Sequence, residues 1–270
     1  MSSGLRQRLV TALLLAAVVI VVLFWLPPGA AVISVMVVML AGAWEWAGFS
    51  GWRTPARRAA YVVAIGLAIV AAWRYTSATD ALLPFLRVVA LWWLVVFLWV
   101  VFAAERGGRA AAALVGFAVL VPAGVGLGRL ALVQPHGQLL LLFLLILIAA
   151  ADVGAYFGGR SLGRHKLAPR VSPGKTWEGF AAGMIGAVVA AVLGARVFEQ
   201  PMLPWVLVCL VVALVSVVGD LAESMFKRRA GLKDSGDLLP GHGGVLDRID
   251  SLTAAGPAFL LGLHVLGVAG

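Results

Sequence analysis

The sequence predicts an all-α, polytopic integral membrane protein with about nine transmembrane helices joined by polar loops. Three observations predict it. First, 62% of the 270 residues are hydrophobic and only 12% are charged, with a mean hydropathy of +1.02. A soluble chain of this length cannot cover so much apolar surface, whereas lipid solvates the outer face of a membrane helix. Second, apolar runs long enough to span a bilayer recur along the chain. Third, the basic residues gather on alternate connections.

A basic head, Met1 to Arg8, precedes an apolar run from Leu9 to Leu26 that ends at Pro27-Pro28-Gly29. That run exceeds the usual apolar core of a signal peptide and reads as the first span. The second covers Ala30 to Ala47 and carries Glu45 between Trp44 and Trp46. The third, Ala59 to Trp73, is the shortest. The fourth covers Leu83 to Ala103. The fifth covers Ala110 to Val133, with a kink expected near Pro122. The sixth runs from Gln138 to Gly158, the seventh from Trp177 to Phe198, and the eighth from Leu203 to Met225. The ninth starts near Ser251, with Asp250 or Ser251 as its N-cap. Residues 1–137 thus form an N-terminal group of about five helices, and 138–270 a C-terminal region that holds the polar motifs.

Nine spans with the N-terminus inside make a prediction about charge. Of the 21 lysines and arginines, all but Arg74, Arg87, Arg129 and Arg196 then fall on the inner side. The head and the active loops are expected to be cytoplasmic and the C-terminus external. Trp25, Trp52, Trp73, Trp177 and Trp205 fall near helix ends, as interface anchors should. The net charge of +9 follows this topology and points to anionic substrates, not to nucleic acid. The one cysteine, Cys209, excludes an intrachain disulfide and a cysteine-rich metal site, and reads as a small apolar packing residue.

The chemistry is expected in the two longest inner loops and the helix ends beside them. The eighth span ends with Asp220, Glu223, Ser224 and Lys227 at i, i+3, i+4 and i+7, which puts them on one face. Acids at a membrane helix end require a partner. Metal binding is the reading preferred here, and an ion pair with Lys227 or Arg228 is the alternative. The sixth span ends with Asp152 one turn from Tyr156, either a functional intramembrane acid or a cross-helix hydrogen bond. Gly154, Gly158 and Gly159 allow close helix packing or approach of backbone to a ligand. Gly174-Lys175-Thr176 lacks the glycine and the preceding strand of a nucleotide-binding P-loop. A Ser172-Pro173-Gly174 turn delivering Lys175 to a phosphate at a helix start remains reasonable. Glu178 can act there or merely complement the helix dipole. From Ser224 to Ser251 the chain holds its longest polar run. It contains Lys227, Arg228, Arg229, Lys233 and Arg248 for phosphates, and Asp234, Asp237, Asp247 and Asp250 for a hard cation. His242, in a Gly-His-Gly-Gly turn, can donate to a phosphate.

Together these motifs resemble the phosphatidate cytidylyltransferases, the CDP-diacylglycerol synthases. The shared signature is Ser224-x-x-Lys227-Arg228, then Lys233-Asp234, Leu239 to Gly244, and Asp247-Arg248-Ile249-Asp250. The resemblance covers about residues 140 to 268, including Asp152 to Gly159 and Ser172 to Gly179, with Trp44-Glu45-Trp46 matching further upstream. Gly174 stands where such proteins commonly have lysine, which leaves Lys175 as the phosphate contact. The resemblance implies the reaction of CTP with phosphatidate, giving CDP-diacylglycerol and pyrophosphate. It implies Asp220, Asp247, Lys227, Lys233 and Asp234 as catalytic residues. Asp152, Ser172, Lys175, Thr176, Ser224, Arg228, His242, Gly243, Gly244 and Arg248 are the expected substrate contacts. Asp220 and Asp247, with Glu223 and Asp250, are the expected Mg²⁺ ligands, and a second cation, K⁺, is implied beside them. The expected setting is a bacterial inner membrane and the expected assembly a homodimer. Two rivals are a secondary transporter, disfavoured because the polar residues collect on one face, and a CTP-dependent lipid kinase.

Overall fold

The computed structural model describes residues 3–239, 241 and 243–269, with side chains from Val10 onward except Ala12. Nine helices run through the described residues. They are α1 (Ser3–Phe24), α2 (Pro28–Phe49), α3 (Pro55–Ala78), α4 (Leu82–Phe102), α5 (Arg109–Leu130), α6 (Gly137–Leu162), α7 (Trp177–Val197), α8 (Met202–Arg229) and α9 (Leu246–Val265). A short antiparallel hairpin, β1 (Lys166–Ala168) and β2 (Ser172–Thr176), joins α6 to α7.

Helices α2 to α8 are each long and apolar enough to cross a membrane. The outward faces carry the apolar side chains. On α4, Leu91, Leu94, Val95, Leu98 and Val101 are exposed while Leu86, Val89, Trp93, Val96 and Val100 are buried. This two-sided apolar character is what a lipid-solvated bundle requires.

Helix α9 is different in kind. Its first turns carry Asp247, Arg248 and Asp250, which dilute its hydropathy, yet Ala254, Ala255, Phe259, Leu260 and Leu263 are buried. It packs against α8, α5 and α4, so it forms much of the bundle's interior.

Several expectations are corrected. α3 spans 24 residues and is not the shortest helix. α8 continues through Arg229, past the expected end of the span at Met225, and so carries Lys227 on the helix as the shared face with Asp220 requires. α9 begins at Leu246, preceded by Val245, whose side chain offers no cap. Asp250 and Ser251 are therefore both within the helix, and neither is its N-cap. Trp205 is 0% exposed and packs on Phe143, Phe198 and Phe259. It is a core residue, not an interface anchor. Pro122 lies inside α5, where the kink is expected. Cys209 is buried, as expected of a packing residue.

Small residues bring α6 and α7 together. A Cβ on Gly154 would lie 2.6 Å from the Ala182 carbonyl oxygen, and one on Gly183 would lie 2.8 Å from that of Ala151. No side chain separates the two backbones there. This contact fixes the hairpin at the mouth of the α6–α7 pair.

Candidate active site

The hairpin is anchored before it contributes chemistry. Glu178, in the first turn of α7, accepts hydrogen bonds from the Arg164 and His165 amides, and its Oε1 lies 2.6 Å from His165 Nδ1. Thr176 caps α7, its Oγ1 accepting from the Gly179 amide at 3.1 Å. Both residues hold the hairpin against the helix start, and β2 then presents Lys175. Its Nζ lies 2.5 Å from Asp220 Oδ2 on α8. Ser224 Oγ donates to the other oxygen, Asp220 Oδ1, at 3.3 Å.

One turn on, Lys227 bridges two helices. Its Nζ lies 2.7 Å from Glu223 Oε2 and 2.6 Å from Asp247 Oδ1. The Asp247 Oδ2 atom accepts from the Ser235 and Gly244 amides, both at 2.9 Å. Asp250 Oδ1 accepts from the Ser251 amide at 2.6 Å, and the negative charges of Asp220 and Glu223 reach it. The loop between α8 and α9 closes through the Leu239 amide, which donates to the Gly243 carbonyl at 2.9 Å. Gly241 and Gly243 adopt φ of 77° and 81° there, a region that glycine enters without strain.

The structure thus gathers two neighbouring sets at the end of α8, Lys175–Asp220–Ser224 and Glu223–Lys227–Asp247, into a charged cluster with Asp250 beside it. Asp152 stands at its edge. With Tyr156, Lys175, Thr176, Phe180 and Met184 it lines a cavity of about 400 Å³. Ser172 lies at the start of β2, partly buried. Lys233 and Asp234 are exposed in the α8–α9 loop, and Arg228 and Arg248 are exposed at helix ends. The Gly244 amide, expected to meet substrate, is taken by Asp247, and Gly243 turns the chain beside that carboxylate. His242 lies outside the described residues.

Whether these residues suit a cation turns on their chemistry. Among the described residues, no three acidic, histidine or cysteine side chains converge as ready metal ligands. The carboxylates instead face ammonium groups. The donor set itself is carboxylate oxygen, which a hard divalent cation prefers. Glu223 is 2% exposed, and among the described residues its Oε1 is buried without a hydrogen-bond partner while its Oε2 has the ion contact to Lys227. A buried, under-coordinated carboxylate of this kind suits a cation.

Glu45 and Ser235 are two further residues of the site, outside the set expected from the sequence. Glu45 Oε2 accepts from Ser235 Oγ at 2.9 Å and from the Leu246 amide at 2.8 Å, and Oε1 accepts from the Val245 amide at 3.0 Å. The available signal was a lone acid inside an apolar span.

Comparison with known proteins places this sequence in a family. The sequence profile of the cytidylyltransferase family matches residues 6–266. A phosphatidate cytidylyltransferase of Pseudomonas aeruginosa is 40% identical over 97% of this chain and 98% of its own length. One of Haemophilus influenzae is 38% identical over 94% of this chain and 97% of its own. One of Brucella suis is 49% identical over 124 residues, 45% of this chain and 46% of its own. With the match running almost from end to end, through both the signature cluster and the helices that carry it, this chain belongs to the cytidylyltransferase family.

Proposed function

We propose that the protein transfers CMP from CTP to phosphatidate, yielding CDP-diacylglycerol and pyrophosphate in phospholipid biosynthesis. One observation carries the reading. Lys175 with Asp220, and Lys227 with Glu223 and Asp247, form two neighbouring ion-paired sets, and Lys175 also lines a cavity between membrane helices. The cavity is apolar along Ala151, Phe180, Met184 and Val217 and polar at Asp152, Lys175 and Thr176. Such a division suits an amphiphile whose phosphate meets the charged group.

Both substrates are polyanions, so the reaction is governed by positioning and charge neutralisation. A phosphate oxygen of phosphatidate attacks the α-phosphorus of CTP. The new P–O bond forms as the bond to the β-phosphate oxygen breaks, and pyrophosphate leaves with the electron pair. Lys175 and Lys227 stand where they can exchange a carboxylate for a phosphate oxygen. Arg228, Lys233 and Arg248, exposed around the site, add positive charge along the approach. Asp220 and Asp247, with Glu223 and Asp250, would hold Mg²⁺, which neutralises phosphate oxygens and polarises the phosphorus. K⁺ is the second cation in this proposal.

The placement we propose is the inner membrane of a bacterium, with the N-terminus and the charged group cytoplasmic and the C-terminus external. A homodimer is part of the proposal on family resemblance alone.

The test uses purified protein in phosphatidate-containing bilayers with labelled CTP. Label in the α-phosphate is expected in the lipid, and γ-label in pyrophosphate. Lipid carrying γ-label would replace this reading with a lipid kinase.

A further inference from the structure

Glu45 sits near the end of α2, far in sequence from every residue assigned to the reaction, and is 2% exposed. Its two carboxylate oxygens accept from Ser235 Oγ and from the Val245 and Leu246 amides. Ser235 in turn donates its amide to Asp247 Oδ2 at 2.9 Å, and its Oγ accepts from the Asp247 amide at 3.3 Å. One carboxylate thus grips both ends of the loop that frames Asp247.

The physical need is plain at the start of α9. The first amides of a helix have no acceptor within it, and Val245 supplies no side-chain cap. Glu45 supplies the acceptor from another helix, and its negative charge complements the helix dipole. The loop is shaped around it. A Cβ on Gly236 would lie 2.5 Å from Glu45 Oε1, and one on Gly244 would collide with Glu45 Oε2 and Ser235 Oγ. Glutamine cannot take over. All three groups donate, and an amide offers one acceptor oxygen and one donor nitrogen. In either orientation the nitrogen faces a backbone N–H.

We infer that Glu45 is a positioning residue for the cytidylyl transfer, fixing Asp247 and the first turn of α9 to α2 through Ser235 and the Val245 and Leu246 amides. This rests on the reading of Asp247 as a catalytic group.

The test compares the parent with Glu45→Gln, Ser235→Ala and the double variant, each full length in lipid nanodiscs. Hydrogen exchange over 233–247 is read alongside kcat and KM. In Glu45→Gln, exchange is expected to rise across 233–247 while α8 stays protected. The kcat should fall by about 10–100-fold, the range for residues that orient a catalytic carboxylate, with KM for CTP near the parent's. Ser235→Ala should do the same to a smaller degree. The double variant should resemble Glu45→Gln, because both changes break one chain of contacts.

Unchanged exchange in Glu45→Gln overturns the inference. Faster exchange with parental kcat overturns the positioning role and leaves the proposed reaction intact. Loss of protection in every helix of both single variants makes Glu45 a general fold residue and likewise overturns it. If Glu45→Gln does not fold, Ser235→Ala decides alone, and parental kcat and exchange there overturn the inference. A parent that makes no CDP-diacylglycerol fails the functional reading instead, and exchange alone then decides the anchor.

Discussion

Lys227 Nζ and Asp247 Oδ1 lie 2.6 Å apart, joining the last turns of α8 to the first turn of α9. The same ammonium lies 2.7 Å from Glu223 Oε2. One lysine therefore balances two carboxylates in a place where water is largely excluded. Their side chains are 12%, 9% and 2% exposed for Lys227, Asp247 and Glu223.

Lys227→Met should accordingly strand two negative charges. Removing one partner of a buried ion group destabilises by about 3–5 kcal/mol. Denaturation in detergent is expected to show a loss on that scale. Added Mg²⁺ should raise the unfolding temperature of Lys227→Met more than that of the parent, because a ligand that binds only the folded state stabilises it. Equal Mg²⁺ effects on the two proteins would argue against a cation site among these carboxylates.

Asp220→Asn and Asp247→Asn separate a charge requirement from a shape requirement. Asparagine keeps the outline and one acceptor but loses the charge that Lys175, Lys227 and a hard cation need. Each variant is expected to fold and insert, and to lose roughly 10²-fold or more in kcat. Turnover near the parent's in well-folded protein would remove that residue from the mechanism.

The α6–α7 contact predicts a steric effect. Gly154→Ala places a methyl group 2.6 Å from the Ala182 carbonyl oxygen, which forces the helices apart. Overpacking of this kind destabilises by about 1–3 kcal/mol. Thermal unfolding should show the loss. Activity per folded molecule should also fall, because Lys175 and Asp152 are set by this helix pair. A variant as stable as the parent would mean that the two helices separate at no cost.

Topology is tested with single cysteines in a Cys209→Ala background. Asp237 is exposed in the α8–α9 loop and Asp80 in the α3–α4 connection. In intact cells an impermeant thiol reagent is expected to label Asp80→Cys and to spare Asp237→Cys until lysis. Labelling of Asp237→Cys without lysis would invert the proposed orientation.

Sequence alone determined what depends on local properties. Apolar runs and alternating basic loops revealed the helices, because span length and loop charge are read one segment at a time. The spacing from Asp220 to Lys227 revealed a shared helix face, since 3.6-residue periodicity is local too. Gly154 and Gly158 allowed either close packing or approach to a ligand, and the structure shows them packed against α7. Tertiary structure alone decided which charges meet. Lys175 could have faced solvent or a phosphate, and only the anchored hairpin brings it to Asp220. The start of α9 at Leu246 depends on acceptors from Glu45, 201 residues away in the chain. Trp205 is buried because Phe143, Phe198 and Phe259, from other parts of the chain, pack on it. Such partnerships belong to packing between distant segments, where the low dielectric makes each unpaired charge or amide expensive and so selects one arrangement.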